Sequence, residues 1–153
     1  MKMSRKIFTL LLALVMVLSC VHLPAMAVED TPTTVVANEI AENEPIESAF
    51  TDAVFLAAVR ELVGKTNGEH IYQSDVEDIT ELDVSDLYIA DLNGIEYFCA
   101  LRELYCYGND LLTLNLSHNS NLEVLDCSYN DLLETLDVSG CPELTSLDVL
   151  FLY

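Results

Sequence analysis

The 153-residue chain carries 26 acidic residues against six Lys or Arg, a formal net charge of −20, with no Trp and five Cys. All of the acids lie beyond Ala27, whereas three of the six basic residues precede it, so Arg60, Lys65 and Arg102 are the only later cations. That balance argues against nucleic acid and anionic membrane surfaces as partners, because both are held by Lys and Arg.

Residues 1–27 read as a secretory signal peptide. Lys2, Arg5 and Lys6 precede an apolar run from Ile7 to Leu18, and Ala25-Met26-Ala27 spells a small-x-small cleavage site. The run is short for a bilayer span, and nothing later is long enough, so no membrane insertion is expected once the signal is removed. An alternative start is Val17-Leu18-Ser19-Cys20, which loosely resembles a lipobox and would anchor the chain as a lipoprotein through Cys20. Residues 28–47, rich in Thr, Ala, Asn and Glu with Pro32 and Pro45, show no apolar period and read as a disordered acidic linker.

Residues 48–78 read as a helical N-terminal cap. Phe50, Val54, Ala57, Ala58 and Leu62 recur at three- and four-residue steps, which predicts an amphipathic helix from Thr51 to Val63. Ser48 or Thr51 can cap its start, and Gly64 ends it. Ser74-x-x-Glu77 has the capping-box spelling of a short second helix. The intervening loop at 65–71 lacks the acids that a calcium loop needs at its first and fifth positions.

From residue 79 onward one spelling recurs. It stands as Leu101-x-x-Leu104-x-Cys106-x-x-Asn109, then Leu111-x-x-Leu114-x-Leu116-x-x-Asn119, and again from Leu122, Leu133 and Leu144. Paired, these words make units of about 21 to 22 residues, the length of a leucine-rich repeat. Leu alternates with polar residues as a strand with one buried face requires. The Asn that closes each word can satisfy backbone groups where the chain turns. A single coil cannot bury enough to fold, so the copies must stack. The expected fold is an α/β repeat: a leucine-rich-repeat solenoid with parallel strands, about three complete coils, over residues 79–153, with the helical cap before it. Coils start at Ile79, Leu101, Leu122 and Leu144. The first is atypical, with Leu87 where later coils have Asn109 and Asn130, and a return side reading Ile89-x-x-Leu92-x-Gly94-Ile95-x-x-Phe98. The fourth is incomplete: Leu150 to Tyr153 replace the usual corner, which reads as C-terminal truncation. Such an uncapped end is expected to favour self-association.

The chain resembles the bacterial leucine-rich-repeat proteins related to internalins, in the subgroup whose coils read Leu-Asp-Cys-Ser-x-Asn and Leu-Asp-Val-Ser. Those words stand here at Leu125 to Asn130 and Leu136 to Ser139. The resemblance covers roughly residues 50–149. It implies a secreted or surface-displayed binding protein of a Gram-positive-type bacterium, in a group with diverse ligands.

Four cysteines follow the signal: Cys99, Cys106, Cys127 and Cys141. An even number in an exported chain suggests disulfides. Cys106 and Cys127, however, occupy one inward slot of successive coils, where Val84 and Val149 also serve, and read as small buried hydrophobes. No zinc spacing and no catalytic motif is present, so no metal, cofactor or enzymatic activity is expected. What remains is the outward strand face. Between the buried strand positions stand Asp83, Tyr105, Asp126 and Asp148, with Glu81 and Glu103 beside the first two and Tyr107 and Tyr129 just beyond. Aromatics among acids on a rigid face suit protein recognition. The functional expectation is a binding module for a protein or another surface ligand. The alternatives are a non-catalytic structural spacer, a fragment of a longer surface protein, or an enzyme's accessory region.

Overall fold

The computed structural model describes residues 44–150. The signal peptide, the lipobox at Cys20, most of the linker and residues 151–153 lie outside the described residues. Six three-residue strands follow the repeat words: β1 (Glu81–Asp83), β2 (Glu103–Tyr105), β3 (Thr113–Asn115), β4 (Val124–Asp126), β5 (Thr135–Asp137) and β6 (Ser146–Asp148). β1, β2, β4 and β6 form one parallel sheet, and β3 with β5 form a second on the return side. The chain is therefore a parallel-strand solenoid of about three turns, the leucine-rich-repeat fold expected from the spacing.

Register follows from the side-chain period of two. Leu82, Leu104, Leu125 and Leu147 stand in one row, and Leu114 pairs with Leu136 across the return sheet. The inward rows bury Leu82, Leu104, Leu125 and Leu114, together with Leu101, Leu111, Leu116 and Leu122. The pattern fades in the last coil, where Leu136 is half-buried and Leu147 exposed.

Asn side chains close the corners. The Asn109 amide donates to the carbonyls of Val84 (2.8 Å) and Cys106 (3.0 Å), while its oxygen accepts from the N–H of Leu87 and Ile89. Asn130 repeats this one coil on, donating to Cys106 (2.9 Å) and Cys127 (3.0 Å) and accepting from Leu111. Buried amides thus satisfy backbone groups that the turning chain leaves unpaired.

The capping region holds helix α1 (Ala53–Leu62) and the single turn α2 (Gln73–Val76). Three details depart from the expectation. First, the N-cap of α1 is Asp52, which accepts from Val54 and Phe55 N–H, instead of Ser48 or Thr51. Second, the buried face of the helix is Phe55 and Val59, whereas Val54 and Leu62 are exposed. Apolar residues run without a break from Ala53 to Val59, so periodicity leaves the phase open. It is settled by ring packing of Phe55 against Phe50 (centroids 5.5 Å apart) and Phe98 (6.5 Å). Third, Tyr72 precedes α2, and Asp75 reaches back to its N–H at 2.8 Å, so Ser74 lies inside the turn.

Gly64 does end α1. At φ 69° it donates to Glu61 while Lys65 donates to Arg60, the paired bonds of a Schellman cap. The packed region also begins before Ser48. Ile46 is buried, its N–H donates to Ile71 at 2.8 Å, and the Glu47 carboxylate accepts a bond from Ile71 N–H. Gly94 lets the cap meet the first coil: a Cβ there would stand 2.6 Å from the Phe50 ring.

Candidate functional site

The four-stranded sheet turns two outward side chains per strand, one on each side of the inward Leu, to the same surface. Its register places Asp83, Tyr105, Asp126 and Asp148 in a single row and Glu81 next to Glu103 in the row beside it. Parallel strands stand about 4.8 Å apart, so the row has a fixed, ruler-like spacing. Six of the eight candidate residues therefore share one face. Tyr107 and Tyr129 do not: they lie past the strand ends, on the corner. There Tyr129 adopts φ 54° and remains 42% exposed.

Tyr105 is the centre of the face. Its hydroxyl donates to Glu103 at 2.8 Å. That bond, then burial and the fields of Glu103, Glu81 and Asp126, push the phenol above its ordinary pKa. Tyr105 accordingly stays a neutral donor among carboxylates. The edge of the face carries Arg102, whose guanidinium meets Glu123 at 2.7 Å.

The aspartates have a second task that sequence reasoning missed. Asp83 accepts from Ser85 N–H, Asp126 from Ser128 N–H and Asp137 from Ser139 N–H, at 3.1, 3.0 and 2.9 Å. Asn115 does the same for Ser117. Each is an Asx turn that starts the corner after a strand. The recurring Asp-x-Ser and Asn-x-Ser words were the signal. In every case one side-chain oxygen, Oδ1, makes the bond, so the second carboxylate oxygen of each Asp is not needed for the turn.

Cys106, Cys127 and Cys141 are free and buried, as expected for the first two from their inward slot. Burial, then neighbouring Cys127 and Asp126, raises the Cys106 thiol far above its ordinary value. Burial with Asp126 beside it pushes Cys127 up to about 11. Such thiols are poor nucleophiles and poor metal ligands. Among the described residues no three His, Cys, Asp or Glu side chains converge on a possible metal position, and no helix is long and apolar enough to cross a membrane.

No family model matches the chain. Among solved structures it is similar to the functional domain of InlJ from Listeria monocytogenes, which includes a cysteine ladder. The TM-score is 0.54 and the identity 28%, over 67% of this chain and 27% of that one. It is also similar to internalin C2 from Listeria monocytogenes (TM-score 0.53, 23% identity, 67% of this chain and 56% of that one). Internalin F from the same species gives TM-score 0.51 and 23% identity over 69% of this chain and 38% of that one. The chain thus spans between about a quarter and just over half of the length of these proteins. Its structural neighbours are internalins, and the fold is theirs.

Proposed function

We propose that the chain is an exported, non-catalytic binding module, secreted or held at the cell surface, whose four-stranded face engages a protein ligand. The observation that carries this reading is the aligned row of Asp83, Tyr105, Asp126 and Asp148 beside Glu81 and Glu103. A rigid Tyr contributes contact area at little entropic cost, and the carboxylates around it select a cationic surface and speed its approach. Similarity to internalins supports a protein as the ligand, and the signal spelling at residues 1–27 supports export, with lipidation at Cys20 as the lesser route. Tyr107 and Tyr129 belong to the flank of the site, where the corner meets the face.

A photo-crosslinking amino acid at position 105 tests this directly, with one at position 134 on the return side as the control. Presented with surface proteins of bacterial and host cells, the protein labelled at 105 should capture a discrete partner that the control does not. Equal capture from both positions, or none from 105, rejects the face as the site.

A second reading concerns the last described coil. There β5 and β6 each pair on one side only among the described residues, and Leu132, Leu147 and Leu150 are 54%, 45% and 56% exposed. Apolar side chains next to free strand edges favour pairing with another copy. Light scattering should then show mass rising with protein concentration, and a constant monomer mass would dismiss this contact.

A further inference from the structure

The corner that follows β1 carries an aromatic side chain for which the fold itself has no use. Tyr88 is 80% exposed, and its backbone is left-handed at φ 61°. A bulky L residue enters that region only at a cost, which packing around it normally offsets. Here the ring buries little, and among the described residues its side chain makes no hydrogen bond or ring contact. The conformation is nevertheless fixed. The buried Asn109 side chain accepts from the N–H of Leu87 (3.1 Å) and of Ile89 (3.0 Å), the two neighbours of Tyr88. Ile89 packs into the core, so the backbone on both sides of Tyr88 is held from within and the ring is turned outward.

Apolar neighbours stand on the same corner. Leu87 takes the place that Asn109 and Asn130 hold in later coils, and is 38% exposed where they are buried. In the next coil Asp110 donates its N–H to Ile89 at 2.9 Å, and Leu112, two residues on, is 52% exposed. Carboxylates border the patch. Asp86 and Asp110 are exposed, and neither carboxylate has an ion pair or hydrogen bond among the described residues. A rigid, outward Tyr with aliphatic neighbours has the composition of a contact anchor, since its area is offered at little entropic cost.

We propose that this corner is a second interaction surface, which takes a protein segment with an apolar or aromatic centre and Lys or Arg at its margins. The centre covers Tyr88, Leu87 and Leu112, and the flanking cations meet Asp86 and Asp110. Charge selects that occupant. The chain's formal charge is −20, and the Lys and Arg of the described region, Arg60, Lys65 and Arg102, already face Glu47, Asp75 and Glu123. A second copy would bring like charge to the patch. A bilayer would strip water from both carboxylates without pairing them. The corner lies past the strand ends, outside the Tyr105 row, so the surface does not rest on the reading of that face.

The test pans a random-peptide phage library on the protein, after depletion on a Tyr88→Gly variant, and titrates the enriched peptides. Glycine accepts φ 61° without strain, so the thermal midpoint of Tyr88→Gly should hold or rise while peptide affinity falls about tenfold or more. The enriched peptides should share an apolar or aromatic centre flanked by Lys or Arg. Leu112→Ser, at a second exposed position, should weaken the same peptides. Asp86→Asn with Asp110→Asn should weaken them too, by a factor that shrinks in high salt. Tyr105→Ala should leave their affinity unchanged, which separates the corner from the face. A marked fall in the thermal midpoint of Tyr88→Gly would make the ring structural and overturn the proposal. So would a failure to enrich any Tyr88-dependent peptide, enrichment of peptides without basic residues, equal loss with Tyr105→Ala, or Tyr88-dependent binding to phosphatidylcholine vesicles.

Discussion

At the scale of single residues, the corner of each coil is where chemistry and backbone geometry are most tightly coupled. Gly108 sits at φ 66°, and a Cβ there would stand 2.2 Å from Asp86 Oδ1. Gly108→Ala should therefore cost about 2 kcal/mol or more, combining left-handed strain with a clash. Removing the carboxylate as well, with Asp86→Ala, should recover part of that cost, and a double-mutant cycle by urea unfolding measures how much. Additive losses would mean that the carboxylate simply swings aside. The buried amides offer a second comparison. Asn130 makes bonds from both ends of its amide, whereas the Asn119 side-chain oxygen is buried without a hydrogen-bond partner among the described residues. Asn130→Ala leaves several buried groups unpaired and should cost about 2 to 3 kcal/mol, and Asn119→Ala clearly less. Equal costs in denaturant midpoints would contradict the view that pairing at both ends of the amide sets its value.

At the scale of elements, the capping region is tied to the coils by carboxylates. Asp52 caps α1 and also accepts from Ala90 N–H at 2.9 Å in the first coil. Burial raises its pKa, but the N–H groups of Ala90, Phe55 and Val54 together hold it below the ordinary value. Glu47 and Asp75 are depressed in the same way against burial, by Ile71 N–H and His70 in one case and by Lys65 and Tyr72 N–H in the other. A depressed carboxylate stabilises the fold above its unfolded pKa, about 4, and that contribution is lost as pH falls through the folded value. The amides of Phe55 and Val59 should thus lose hydrogen-exchange protection below about pH 4 before those of Leu104 and Leu125 do. Asp52→Asn, which still caps a helix, should flatten the acid dependence. Simultaneous loss of protection in helix and strands would show that the two regions unfold as one.

The same scale shows what a sequence can reveal. Strand positions and register were legible because Leu at a step of ten or eleven residues leaves one inward phase, and a slip of one residue would expose every Leu. The phase of α1 was not legible, because Ala53 to Val59 is apolar throughout and contact with Phe50 and Phe98 decides it. The Asp83, Tyr105, Asp126 and Asp148 row could be read from repeat arithmetic. The atypical return side of the first coil was legible too, since Ile89-x-x-Leu92-x-Gly94-Ile95-x-x-Phe98 departs from the repeat word, and the chain there makes a 3-10 turn at Ile95–Tyr97.

At the scale of the whole molecule, the solenoid is a scaffold that converts a linear repeat into a flat, evenly spaced array of side chains. Its buried thiols fit this reading, since raising the Cys106 and Cys127 pKa values removes their reactivity. Alkylation of the native protein near pH 8 should leave both unlabelled, and unfolding without reductant should expose both. Rapid native labelling would indicate an open stack. The claim on which the functional reading rests is that the acidic, Tyr-centred face captures the ligand. The most direct measurement compares ligand capture by the unaltered protein with that of a variant carrying Asp83→Asn, Tyr105→Ala, Asp126→Asn and Asp148→Asn, at matched thermal stability. Asn preserves the Oδ1 acceptor of the turns at Asp83 and Asp126 while removing charge, so the fold should persist and capture should fall by two orders of magnitude or more, roughly 3 kcal/mol. Undiminished capture by a folded variant would contradict the account.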